Sequence, residues 1–109
     1  MILEENISKL LDKVIHLDAI FGKWIVLLLI TIYFYESTNF YKLNKSLNRI
    51  TPKVLSSKLK HLEEIGLIGR NILIAQPLRV EYYITSKGKE FVESMNNTFN
   101  LDIFFPTKN

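Results

Sequence analysis

The stretch ITPKVLSSKLKHLEEIGLIGR, Ile50 to Arg70, decides how the chain folds. It opens on Thr51-Pro52. A threonine hydroxyl at an N-cap accepts an orphan backbone N–H, and a proline at the first helical position has no N–H to leave unsatisfied. A helix is therefore predicted over 51–65. Leu55, Leu59 and Leu62 form its apolar stripe. At about 100° per residue, the opposite side centres on Lys53, Ser57 and Lys60, with Ser56 on its flank. Glu63 and Glu64 sit at the far end, and Gly66 is the expected C′ residue.

Immediately upstream, Asn39 is placed to cap a short helix, FYKLNKSLN. Its apolar residues Phe40, Leu43 and Leu47 fall at i, i+3 and i+7, leaving Lys42, Asn44, Lys45 and Asn48 outward. Two short helices separated by a turn through Arg49-Ile50 make a helix-turn-helix over 40–65. Downstream, Leu67–Ile74 and Leu78–Thr85 are predicted as two strands joined by Ala75-Gln76-Pro77. In the second, Val80, Tyr82 and Ile84 alternate with Glu81 and Tyr83. Thr85 then caps a short last helix, Ser86–Met95, with Phe91, Val92 and Met95 on one face and an apolar tail, NLDIFFP, behind it.

Toward the N-terminus, Leu3, Ile7, Leu10, Val14 and Leu17 are spaced 4, 3, 4 and 3, a heptad seam suited to a helix partner. Gly22 breaks that pattern. The segment WIVLLLITIYFY, Trp24 to Tyr35, runs twelve residues without a charge. A spanning helix needs roughly twenty residues, so this run is expected to be a buried core helix, apolar nearly all round. Residues 36–39, ESTN, form a polar connection with room for a short strand.

Composition narrows the function. The 109 residues suit a single domain, 48% apolar and 23% charged. Cysteine is absent, which excludes disulfides and thiolate chemistry. His16 and His61 lie far apart, and neither a metal site nor a cofactor site is expected. The carboxylates fall mostly on helix faces and ends rather than converging, so no enzyme is expected. Net charge is +3, but residues 42–70 alone hold seven Lys/Arg against two Asp/Glu. Clustered positive charge suits a polyanion, although a solvated lysine surface would give the same count.

The pattern has a definite mechanism if the partner is double-stranded DNA. Lys53, Ser56, Ser57 and Lys60 would face base edges and phosphates in the major groove, and Thr51 would open a helix N-terminus onto a phosphate. Lys42, Lys45 and Arg49 would hold the backbone, and Arg70 and Arg79, at the base and near the tip of the hairpin, would reach the minor groove.

GKW at Gly22–Trp24, FYKLNKSL at Phe40–Leu47, ITPKVLSSKLKHLEEIGLI at Ile50–Ile68 and PLRVEYYITSKG at Pro77–Gly88 together resemble the HxlR-type transcriptional regulators, which are related to the MarR group. The resemblance covers residues from about 17 to 95. It implies a mainly α winged helix-turn-helix (α+β) with 67–85 as the wing, and a homodimer on a pseudo-palindromic operator. The dimer contacts would come from the terminal helices, within 1–21 and 86–109: Leu3, Ile7, Leu10 and Val14 at one end, Phe91, Met95 and Phe99 at the other. It leaves room for a small-molecule effector, which the residues do not identify. Many relatives carry a cysteine before the GKW helix; Leu17-Asp18-Ala19 stands there, so thiol sensing is excluded. The setting expected is cytoplasmic, without membrane attachment. The competing reading is a winged-helix module for protein contact, with which three arginines among fourteen basic residues would be compatible.

Overall fold

The computed structural model describes residues 17–101; the heptad positions Leu3, Ile7, Leu10 and Val14 lie outside these. The described chain forms α1 (Asp18–Phe21), α2 (Ile25–Tyr35), β1 (Ser37–Thr38), α3 (Phe40–Leu47), α4 (Pro52–Glu64), β2 (Ile68–Ala75), β3 (Leu78–Ile84) and α5 (Ser86–Phe99). The strands make one antiparallel sheet in the order β1-β3-β2.

Helix α2 is the centre of the core, as its unbroken apolar run predicts. Every residue from Ile25 to Ile32 is buried, including Thr31, whose hydroxyl donates 2.7 Å to the Leu27 carbonyl. The helix packs on α3, α5, β1 and β3. Its polar tips join two neighbours: the Tyr33 hydroxyl donates to Glu93 of α5 at 2.9 Å, and the Tyr35 and Ser46 hydroxyls are bonded at 2.9 Å. Trp24 is the N-cap, in the left-handed region at φ 78°. Among the described residues no helix is long and apolar enough to cross a membrane.

The joints of the helix-turn-helix are hydrogen-bonded as the capping residues require. Asn39 Oδ1 accepts from Lys42 N at 2.9 Å, and Thr51 Oγ1 accepts from Val54 N at 3.2 Å. The turn between them is held by buried Ile50 and by Asn44, whose side-chain amide donates to the Ile50 carbonyl at 3.1 Å. Helix α4 ends in a Schellman motif: Gly66 N–H reaches Glu63 O, Leu67 N–H reaches Leu62 O, and Gly66 has φ +84°. Leu67 is buried there and anchors the hairpin to the body.

Thr85 joins the far side of the hairpin to the same point. Its hydroxyl lies 2.7 Å from the Gly66 carbonyl and 3.0 Å from that of Leu67, and it accepts from Gly88 N at 3.0 Å. One threonine thus caps α5 and fastens it to the end of α4.

Two sequence expectations are corrected. Ala75 belongs to β2, paired with Leu78, so the turn is Gln76-Pro77 alone. The closing helix is not short: it continues through Asn96–Phe99 for 14 residues in all. Asn100 adopts the left-handed conformation, and the N–H groups of Asn100 and Leu101 both bond the Asn96 carbonyl. Asparagine tolerates that conformation, and Leu101 returns to the core at 3% exposure. The extension brings Phe99 onto the helix at 42% exposure, while Met95 is already covered by the chain's own core. Phe91 is half-buried and meets Phe21 edge to face at 5.6 Å.

Candidate nucleic-acid interface

Helix α4 buries Leu55, Leu59 and Leu62 almost completely. Three leucines on one stripe fix the rotation of the helix, and that rotation leaves Lys53, Ser56, Ser57 and Lys60 exposed. Lys53 and Lys60 are two turns apart, about 10 Å along the axis. This is the rise of roughly three base pairs.

The other expected contacts are also exposed. Lys42 and Lys45 project from α3 and Arg49 from the turn. Lys45 Nζ lies 5.4 Å above the ring of Tyr41, a residue that is 68% exposed and was not foreseen as part of this surface. Its i,i+4 spacing from Lys45 was the available signal. Thr51 is exposed too, but its hydroxyl is engaged at the N-cap. Arg79 stands opposite Ile74 near the wing tip.

The acids at the far end of α4 are not isolated from the basic residues. Ser56, Lys60, Glu63, Glu64, Arg70 and Tyr82 line one depression between α4 and the base of the wing. Glu63 Oε2 is 3.6 Å from Arg70 Nε. The reason is the tight Gly66 closure, which turns β2 back beside the last turn of α4. Burial pushes the Tyr82 hydroxyl above its ordinary pKa; Arg70 opposes that shift and Glu63 adds to it. Among the described residues no group of acidic or histidine side chains is arranged to hold a metal ion.

A second unforeseen feature is the apolar surface of the wing. Ile72, Leu73, Ile74 and Leu78 are all exposed, three of them by more than half. Their apolar run was visible in NILIA, but a strand of that composition is ordinarily assigned to a core.

A capped two-helix turn, followed by an antiparallel hairpin and a helix that closes over it, defines a winged helix-turn-helix domain. A family model for the HxlR-like helix-turn-helix matches residues 19–101. An uncharacterized HTH-type transcriptional regulator of Methanothermobacter thermautotrophicus is 36% identical over 78 residues, covering 72% of this chain and 59% of that protein. The uncharacterized HTH-type transcriptional regulator YvaP of Bacillus subtilis is 32% identical over 72 residues, covering 66% of each. A solved MarR-family structure from Enterococcus faecalis V583 superposes with a TM-score of 0.69 at 29% identity, covering 79% of this chain and 77% of that one. The chain spans about three fifths to two thirds of the length of these two curated relatives. It belongs to the HxlR-like helix-turn-helix family.

Proposed function

We propose that this protein is a sequence-specific, double-stranded DNA-binding transcriptional regulator that works as a homodimer in the cytoplasm. Helix α4 enters the major groove and the wing lies at the adjacent minor groove. One observation carries this reading: the stripe of Leu55, Leu59 and Leu62 turns Lys53, Ser56, Ser57 and Lys60 outward together on a helix whose first residues are exposed. Lysines and serines suit phosphates and base edges, and the helix dipole adds partial positive charge at that end. Lys42, Lys45 and Arg49 hold the flanking backbone. The family's operators are pseudo-palindromic by the resemblance drawn above, and a two-fold dimer supplies two copies of α4 for such a site. The dimer contacts are assigned to the N-terminal seam and to the exposed side of α5 around Phe99.

The test is the double variant Lys53→Ala, Lys60→Ala on duplexes selected by the wild-type chain from a random-sequence library. Removing two phosphate-neutralising charges should flatten the slope of log affinity against log salt by about 1.8. Thermal stability should stay within about 0.5 kcal/mol, because both side chains are exposed. Unchanged affinity and slope in the double variant would sink the recognition-helix assignment. A flat salt profile in the wild type would instead favour a protein-contact module.

A further inference from the structure

Of the eight large hydrophobic side chains exposed among the described residues, four belong to the wing: Ile72, Leu73, Ile74 and Leu78. Their placement follows from the strand register. Ile72 pairs with Val80 and Ala75 with Leu78, so Ile72, Val80 and Leu78 share one face. Ile74 pairs with Arg79, one residue along, and so belongs to the other face. Leu73 is the extra residue of a bulge between them. The tip beyond the Asn71–Glu81 pair therefore carries apolar side chains on both faces, with Arg79 beside Ile74 on the second.

Two-sided apolarity separates the candidate occupants. A flat protein surface, or a second copy of the sheet, would cover one face and leave the other in water. A slot covers both. The DNA minor groove is a slot about 6 Å wide and 7.5 Å deep. A ribbon with side chains on both faces is about 10 Å thick, so it enters only a groove spread well beyond its resting width. The groove's walls are deoxyribose C–H surfaces, and its rims are phosphates. The charge agrees at the tip: Arg70 and Arg79 bracket the apolar run, and the ribbon's carboxylate, Glu81, sits opposite Asn71 toward the base.

We infer that the wing tip is an apolar wedge. It enters the minor groove beside the segment held by α4, packs Ile72, Ile74 and Leu78 against the sugar walls, and spreads the groove so that the duplex bends. The proposal rests on the DNA-binding reading above and adds a sequence requirement to it. The exocyclic amino group of guanine stands on the minor-groove floor and obstructs a wedge, so the flanking step must be A·T-rich. Flexible TA steps make the opening less costly.

The test uses the full chain and the triple variant Ile72→Thr, Ile74→Thr, Leu78→Thr. All three positions are exposed, and threonine has the β-branched shape that strands favour. The probes are the duplexes that the wild type selects from a random library, labelled at both ends for energy transfer. The variant should bind about tenfold more weakly or worse, with an unchanged salt slope because no phosphate contact is lost. It should also lose the bend. Exchanging the flanking A·T pairs for G·C should weaken the wild type by a similar factor, and inosine·cytosine pairs, which lack the amino group, should restore it. The variant should be indifferent to all three flanks. If wild type and variant bind, bend and rank the flanks alike, the wedge is wrong while DNA binding stands. The wedge is equally wrong if the variant keeps its DNA affinity but loses mass in sedimentation, since the wing would then join copies of the chain. If the wild type selects no duplex, both readings fall together.

Discussion

Arg70 on β2 and Glu63 on the last turn of α4 form an ion pair, Nε to Oε2 at 3.6 Å, with each side chain 40% exposed. A pair this open contributes little to stability. Its larger consequence is electrostatic, because it places a carboxylate beside Lys60 and holds Arg70 away from other anions. Glu63→Gln should leave stability within about 1 kcal/mol. It should also raise DNA affinity and steepen the salt slope by about 0.9 as Arg70 becomes free to meet a phosphate. Fluorescence anisotropy across a salt series measures both. A loss of affinity would show instead that Glu63 orients Arg70 for its contact.

Thr51 tests how far the recognition helix depends on its first hydrogen bond. Its hydroxyl accepts from Val54 N at 3.2 Å. Thr51→Ala should cost about 1 kcal/mol in chemical denaturation, and Thr51→Ser should recover most of it.

Gly88 lies in the first turn of α5, where a Cβ would collide with the Leu67 carbonyl oxygen and come within 2.7 Å of Ile84 Cδ1. The carbonyl belongs to the junction that Thr85 fastens, so it has little freedom to retreat. Gly88→Ala should destabilise by about 2–3 kcal/mol, despite alanine's better helix propensity. Lys89→Ala, on the exposed side of the same turn, should change stability by less than about 0.5 kcal/mol.

Tyr33 gives the fold a dependence on alkaline pH. Burial, then the hydrogen bond to Glu93, then the charge of Glu93 push its hydroxyl up to about 12, from 10.0. Below pH 10 the tyrosine is protonated in both folded and unfolded chains, and its contribution is fully present. As pH rises further the unfolded chain releases its proton first, so stability falls through the window from 10 to about 12. Tyr33→Phe should remove this part of the decline, as read from urea denaturation at successive pH values.

Periodicity and capping made most of the scaffold legible. Thr51-Pro52, Asn39, Thr85 and Gly66 each have a local reason to stand where a helix begins or ends, and each does so here. The apolar run of α2 needed only its length to be assigned to the core. Tertiary closure was less readable. Asn96-Asn97 resembles a helix end, yet the helix continues because Asn100 turns left-handed and returns Leu101 to the core. The basic residues of the candidate site could be placed from their 3.6-residue period. The Glu63–Arg70 pair could not, because it depends on how sharply the chain turns at Gly66. The strand was read as part of the wing, but the exposure of Ile72 and Ile74 depends on the hairpin projecting beyond the helices, which no local pattern records.

Among the described residues, strand β2 also lies at the edge of its sheet, with Asn71–Ala75 offering an unpaired row of backbone groups beside exposed apolar side chains. A short, uncharged, β-branched segment of this kind is a template for aggregation. The bulge between Ile72 and Ile74 breaks the regularity that stacking would need, and Arg70 and Arg79 add like charge at either end. Protection is nevertheless partial while the hairpin stands in water. DNA that enclosed the wing would act as its chaperone, and the free protein should be the form that precipitates on storage.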